Sequence, residues 1–299
     1  MKYTKKKKLG IVGLGSMGEA MLKNLLSKNY IVYGHDINLN VKKRLKNIKF
    51  FYFCESLKEL CQNVKEILVV VENQNQCGKI IKKIINYKKN EILDKNFLVI
   101  CCATVSSTWV EKSEKLLSKY KIKLIDSPMS GGPKAALKGN LSLMVSGKKN
   151  ALKLGKKILK DLSKKQFIIG FKAGYGSKMK MINQCLAGIH ISAAAEAIVL
   201  AKREKLNLDK VLDVIKSSAG ASWMFNDRGP RMIKKNFSPP KSRINIFVKD
   251  MKIVRDVMKK HKINLPLSKA SLQNYQKAKL KKMQNLDDSS LVSLLDKTY

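Results

Sequence analysis

A lysine and two amides share one face of an otherwise apolar segment in the stretch GYGSKMKMINQCLAG, residues 174–188. Lys180 is followed at three and four residues by Asn183 and Gln184, the spacing that stacks side chains on one face of an α-helix. Met179, Ile182, Leu186 and Ile189 fall on other sides, and Lys178, about 200° around the axis from Lys180, is expected to lie in water. A lysine beside amides supplies an acceptor and a donor to one oxygen, as the interconversion of an alcohol and a ketone requires. A neutral lysine takes the hydroxyl proton as hydride departs, and burial among many cations is expected to lower its pKa toward about 7–8. On composition alone Lys180 still reads as a snorkelling surface lysine.

A second group with chemistry in it is GLGSMG, comprising Gly13, Leu14, Gly15, Ser16, Met17 and Gly18. It follows the strand-like run LGIV and opens the helical pattern MGEAMLKNLL. Glycines at this spacing allow a tight turn and let a pyrophosphate approach a helix N-terminus, where free N–H groups favour anions. Asp36 closes the next strand-like run, 18 residues after Gly18. A carboxylate there bonds the adenine ribose hydroxyls and repels a 2′-phosphate. NAD is therefore expected over NADP, although Arg44 and nearby lysines keep NADP open. A further cluster, DSPMSGGPKAALKGNLSLMVSG, begins at Asp126. Its Ser130, Gly131 and Gly132 offer a hydroxyl and two unhindered N–H groups at a strand end, which suits a substrate carboxylate; an ordinary loop is the plainer alternative.

These groups need elements to hold them. The first half alternates short β-type runs (LGIVGLG, YIVYGHD, EILVVVEN, FLVICCAT, IKLIDSP, LSLMVSG, QFIIGF) with helical segments such as GEAMLKNLLSK and QCGKIIKKIINY. That alternation predicts a doubly wound, mostly parallel sheet of Rossmann type. From about Gly174 the pattern turns helical, with a long Ala-rich helix followed by DKVLDVIKSSAG, FVKDMKIVRDVMKKHK and PLSKASLQNYQKAKLKK. The expected organisation is a dinucleotide-binding domain over residues 1–172 and an all-α domain over 173–299, joined by the long helix.

With 299 residues and 44% hydrophobic content, the chain can bury a real core. Its formal charge of +39 would attract polyanions, but the lysines are scattered over polar faces and short runs such as Lys5–Lys8 and Lys88–Lys89, which reads as compositional bias. No basic helix interleaved with aromatics is apparent, so sequence-specific nucleic-acid binding is not expected. Cys54, Cys61, Cys77, Cys101, Cys102 and Cys185 form no CxxC pair, and His35, His190 and His261 lie at no ligand spacing from them. A reducing cytosol, without disulfides or metal, is expected. The basic start MKYTKKKKLGIVGLG lacks an unbroken apolar run and a small-residue cleavage site. IHISAAAEAIVLA is interrupted by Glu196 and falls short of a membrane span, so a cytoplasmic, membrane-free protein is expected.

Taken together and in order, GLGSMG, DSPMSGG with Gly139 and LMVSG after it, GSKMKMINQ and VKDM resemble the β-hydroxyacid dehydrogenase family, the 3-hydroxyisobutyrate dehydrogenase group, over nearly the whole chain. The resemblance implies Lys180 as the catalytic lysine, Ser130–Gly132 as substrate-binding, and Thr104 on the nicotinamide side. It places Lys249 against the cofactor, closing the site with Asp250. The family usually has Asn four residues after the lysine; this chain has Gln184 there, preceded by Asn183. The segments INQCLAGIHISAAAEAIVLAKREKL, SSAGASWMFNDR, INIFVKDMKIVRDVMKKHKINLPL and LDDSS are similar to the L-threonate dehydrogenase branch, which also carries Gln at that place. That branch implies oxidation of L-threonate at C2 with NAD, a pocket walled by Trp223, Phe225 and Phe247 (or plain core packing at those positions), and Asn226, Asp227 and Arg228 near the distal hydroxyls. Other small hydroxy acids (3-hydroxyisobutyrate, D-glycerate or tartronate semialdehyde, D-erythronate) are the nearest alternatives, and a non-catalytic polyanion-binding relative the more distant one. Helical second domains of this family pair, implying a homodimer or homotetramer.

Overall fold

The computed structural model describes residues 6–94, 96–296 and 298. The first five residues of the basic N-terminal stretch, Lys5 of the Lys5–Lys8 run included, lie outside them. The chain divides into two compact units, residues 1–180 and 181–299.

In the first unit, β1 (Lys7–Val12), β2 (Tyr30–His35), β3 (Phe51–Phe53), β4 (Glu66–Val69), β5 (Leu98–Cys101) and β6 (Lys123–Asp126) are all parallel, in the spatial order 3-2-1-4-5-6. This is the Rossmann order, whose direction reverses between β1 and β4. β7 (Met129–Ser130) and β6 run antiparallel to β8 (Leu141–Ser146), and β9 (Ser163–Gly170) pairs parallel to β8. The central strands are apolar on both faces because helices cover both. Leu98, Ile100 and Ile125 join one core with Met21, Leu25, Ile158 and Leu159 from helices Ser16–Ser27 and Lys149–Leu162. Val99, Cys101 and Leu124 join the opposite core with Ile80, Ile84, Val110 and Leu117 from helices Gln74–Lys89 and Ser107–Lys119. Alternate residues of one strand thus feed two cores, as the period of a strand dictates. β3 and β7 were not expected; runs of three and two residues are too short to show alternation.

The second unit is helical. It takes most of the long helix Tyr175–Arg203 and adds Leu208–Lys216, Trp223–Ile233, Ile244–His261 and Pro266–Leu280, with the short turns Asp288–Leu291 and Val292–Leu295. Ile191, Ile198, Met232, Met251, Phe247 and Tyr275 are buried together, and the last two rings stack with centroids 5.2 Å apart. Tyr275 and Ser271 both donate from their hydroxyls to the Gly188 carbonyl, where a Cβ would meet Met251 Sδ at 2.7 Å. The long helix is long and apolar enough to cross a membrane by length and composition. Its Ile191, Ala194, Ala195 and Ile198 are instead buried in this core. Helix Trp223–Ile233 was not expected; it carries Pro230 inside it, and Ser222 caps it, accepting from the Phe225 N–H at 3.0 Å.

The start of the long helix is fastened to the sheet. Asp126, at the end of β6 and fully buried, accepts from Gly174 N–H (3.1 Å), Ser177 N–H (2.8 Å) and Ser146 Oγ (3.2 Å) on Oδ2, and from Ser177 Oγ (2.8 Å) on Oδ1. Ser146 Oγ in turn accepts from Gly176 N–H at 2.9 Å. A carboxylate at a helix N-terminus meets the first free N–H groups and the positive end of the dipole. Gly176 is required here, since a Cβ would stand 2.2 Å from the Met144 carbonyl oxygen.

Burial raises the Asp126 carboxyl to about 6 against the pull of its donors. Its native pKa is thus above the unfolded value of about 3.9. The folded chain then binds the proton more tightly, so this group's contribution to stability is full below about pH 4 and fades as pH rises through about 6. Asp126→Asn can keep three of the donors on its carbonyl oxygen and offer its amide to a rotated Ser177 hydroxyl. It is expected to unfold near the wild-type denaturant midpoint at pH 7 and to lack the decline between pH 4 and 6. Asp126→Ala orphans buried donors and is expected to cost roughly 3 kcal/mol or more. Equal losses in the two variants, measured by urea unfolding across pH, would contradict this account.

Candidate active site

The residues singled out in the first unit stand where the parallel strands end. Gly13 follows β1, Asp36 follows β2, Thr104 lies shortly after β5, and Ser130 closes β7 just beyond β6. In open sheets of this order, ligands sit outside the carboxyl ends of the strands, at the reversal between β1 and β4.

The three glycines of GLGSMG divide the work. Gly13 turns with φ 95°, and a Cβ there would lie 2.3 Å from the Val70 carbonyl oxygen beyond β4. Gly18 packs on the same turn, its Cβ position 1.9 Å from the Gly13 carbonyl oxygen. Gly15 faces open space, with nothing within 4 Å of its Cβ position. It is also the N-cap of helix Ser16–Ser27, and no side chain caps the first N–H groups. A cradle that only glycine leaves open, at an uncapped helix start, fits a dinucleotide pyrophosphate. Asp36 grips the same loop: its Oδ2 accepts from Leu14 N–H at 2.7 Å and its Oδ1 from Asn38 N–H at 2.8 Å.

Ser130 pairs with Ser142 across β7 and β8. Gly131 and Gly132 follow with φ 129° and 69°, conformations that favour glycine. The exposed Gly132 has nothing within 4 Å of its Cβ position. Lys180 is buried, 7% exposed, on the long helix, while Lys178 is exposed and pairs with Glu111 at 2.9 Å. The two lysines thus differ in surroundings as their positions around the helix require.

In the second unit, Gln184 Nε2 donates to Asp250 Oδ2 at 2.6 Å, Asn183 Nδ2 donates to Gln184 Oε1 at 3.0 Å, and Lys249 Nζ lies 2.8 Å from Asp250 Oδ1. The orientation of the Gln184 amide is therefore set from both ends. One N–H and one lone pair remain for a further partner.

Other expected residues serve elsewhere. Phe225 and Phe247 are core residues, and Trp223 is 67% exposed. Asn226 is exposed, and it lies with Asp227 and Arg228 inside helix Trp223–Ile233. Arg228 is buried against Asp288 and Asp227, and Asp227 also pairs with Lys241 at 2.8 Å. A guanidinium enclosed by carboxylates is held by that network and is unavailable to substrate hydroxyls. The sequence reading missed the Asp126–Ser146–Ser177 cluster as a unit; the only hint was an aspartate ending an apolar strand. All six cysteines are free, and burial pushes the Cys102 thiol up to about 12.

Two family models cover this arrangement. The NAD-binding domain of 6-phosphogluconate dehydrogenase matches residues 8–170, and the NAD-binding model of NADP-dependent 3-hydroxyisobutyrate dehydrogenase matches residues 174–295. An L-threonate dehydrogenase of Cupriavidus necator is 34% identical over 96% of this chain and 95% of its own length. The chain belongs to the β-hydroxyacid dehydrogenase family. An L-threonate dehydrogenase of Escherichia coli K12 is 30% identical over 96% of this chain and 94% of its own. The crystal structure of a 3-hydroxyisobutyrate dehydrogenase from Salmonella typhimurium superposes with a TM-score of 0.86 at 30% identity, covering 97% of this chain and all of that one. This protein is an NAD-dependent hydroxyacid dehydrogenase.

The different surroundings of the glycines make them separable in the dehydrogenase. Gly15→Ala is expected to leave the melting temperature of the free protein within about 1 °C while weakening NADH binding at least tenfold, because its methyl enters the cradle and nothing else. Gly18→Ala drives a methyl into a carbonyl oxygen and is expected to lower the melting temperature by several degrees. Thermal unfolding without cofactor and NADH fluorescence titration read the two effects; a destabilised Gly15→Ala would remove the assignment of the open side to the ligand.

Proposed function

We propose that this dehydrogenase oxidises L-threonate at C2 to the 2-oxo acid with NAD as acceptor. The observation that carries the reading is the run of five L-threonate dehydrogenases at 29–34% identity, each aligned over nearly the full chain. The site chemistry agrees with it. Threonate carries hydroxyls at C3 and C4 that need polar partners, and Gln184 with Asn183 supplies amides fixed by Asp250.

In this reading Ser130 and the N–H groups of Gly131 and Gly132 hold the carboxylate. NAD, when bound, supplies the hydride acceptor. Lys180, in its neutral form, takes the proton from the C2 hydroxyl as the C2–H bond gives up its hydride and the carbonyl forms. Gln184, one turn along from Lys180, orients the hydroxyl or the lysine. Thr104 and Lys249 flank the cofactor. Cytoplasmic location and a homodimer or homotetramer belong to the same proposal, by analogy with soluble metabolic relatives.

The structural relative solved as 3-hydroxyisobutyrate dehydrogenase favours a second reading, in which the substrate carries a methyl group in place of the distal hydroxyls. A site built to bond hydroxyls rejects an analogue lacking them strongly, because its buried polar groups then go unpaired. The value of kcat/KM on L-threonate is therefore expected to exceed that on 3-hydroxyisobutyrate by about a hundredfold or more, measured with NAD under one condition and with product identification. The reverse order, or a 3-oxo product from threonate, would overturn the choice.

Lys180→Ala is expected to lower kcat by about 100-fold or more while NADH binding changes less than threefold. Lys178→Ala is expected to keep near wild-type kcat. Comparable losses in both variants would remove Lys180 from its role.

A further inference from the structure

Leu14, between the first two glycines of the dinucleotide loop, is held from both sides. Its N–H donates to Asp36 Oδ2 at 2.7 Å, and its carbonyl accepts from Arg44 Nη2 at 3.1 Å. Arg44 is itself drawn onto Glu19: Nε and Nη2 lie 2.9 and 2.8 Å from Glu19 Oε2. Glu19 is in the first turn of the helix that the loop opens, and its other oxygen accepts from Lys23 Nζ at 2.7 Å. Glu19 is mostly shielded, with 19% of its side chain exposed, whereas the Arg44 side chain is 49% exposed. Its two cationic partners hold the Glu19 carboxyl below its ordinary range although burial opposes them.

This chain of contacts ties a guanidinium to the same loop residue, Leu14, that Asp36 holds, and Asp36 follows β2, where an adenine ribose would be read. Guanidinium groups bind phosphate through paired N–H bonds. An untethered Arg44 on its flexible stem is thus a ready partner for a 2′-phosphate next to Asp36. Tethered, its Nε and Nη2 are occupied by a carboxylate and a carbonyl. We propose that Glu19 sets the cofactor preference of the enzyme by latching Arg44 onto the glycine-rich loop, withholding it from a 2′-phosphate. Glu19 touches neither the reacting atoms nor, in this account, the cofactor; it is a positioning residue acting through Arg44. The proposal rests on the dinucleotide site and is independent of which hydroxy acid is oxidised.

The test is binding alone. NADH and NADPH are titrated by fluorescence onto the full-length protein as wild type, Glu19→Ala, Arg44→Ala and the double variant, and the ratio of the two Kd values is compared. Removing the latch is expected to shift the ratio toward NADPH by roughly threefold to tenfold, the scale of one exposed charge-assisted contact. With Arg44 absent, Glu19→Ala is expected to leave the ratio unchanged, because nothing is left to release. A shift that persists in the Arg44→Ala background would mean that Glu19 acts by its own charge, and the latch would be wrong. An unchanged ratio in Glu19→Ala would overturn it as well. Glu19→Gln keeps the shape but removes the charge, leaving one amide oxygen to accept from Arg44; it is expected to shift the ratio in the same direction by less, and it carries the same double-variant comparison if the alanine variant folds poorly. The change is read relative to wild type, so a wild type that binds NADPH more tightly would contradict the NAD reading without deciding the latch.

Discussion

A single buried carboxylate couples the sheet to the long helix on which Lys180 stands. Asp126 ends β6, and its oxygens collect the Gly174 and Ser177 N–H groups at the start of the long helix together with two serine hydroxyls. Lys180 lies one turn beyond Ser177, so the height and rotation of the lysine are inherited from this cluster. A free helix end would leave that lysine's rotation undetermined, since a shift of one residue turns a side chain by about 100°. Gly176 adds the steric half of the constraint, because the helix approaches the Met144 carbonyl more closely than any side chain permits. The surrounding low-polarity interior strengthens each of these bonds and makes each costly to leave unmade.

The cofactor end follows the same logic with backbone in place of a buried charge. The order 3-2-1-4-5-6 leaves a gap where the strand order reverses between β1 and β4, and only glycine allows the chain to turn through it. Gly13 and Gly18 are consumed by packing of the turn against Val70 and against itself, while Gly15 alone is kept open. The loop is then tied down at Leu14 by groups from β2 and the residues after it, Asp36 and Arg44. Preorganisation of this kind matters because a loop ordered before the cofactor arrives loses less entropy on binding.

The legibility of the sequence follows the range of the interactions. The β1–loop–helix start, Asp36 and the face shared by Lys180 and Gln184 were readable because each rests on neighbours within about 20 residues and on a period of 2 or 3.6. β3 and β7 were not, being too short for a period to register. Helix Trp223–Ile233 was not read either; its buried residues Met224, Phe225, Arg228 and Met232 face a core assembled from distant segments. The misassignment of Arg228 has the same origin. Its partner Asp288 lies 60 residues away, so the sequence showed a polar trio after two aromatics and nothing of the carboxylates that enclose it.

The second unit shows how a substitution at one site position can be absorbed. Gln184 is longer than the asparagine usual at this place, and a longer amide has an extra rotatable bond whose freedom would blur its aim. Asp250 takes one amide hydrogen and Asn183 occupies one lone pair, which removes the two-fold ambiguity of the amide as well as its mobility. Lys249 neutralises the outer oxygen of Asp250, so the carboxylate can sit buried without an uncompensated charge. The added length of Gln184 is thereby held in one orientation rather than left to disorder. A glutamine at this position is thus fixed only when the amide before it and the Lys249–Asp250 ion pair opposite it are present together.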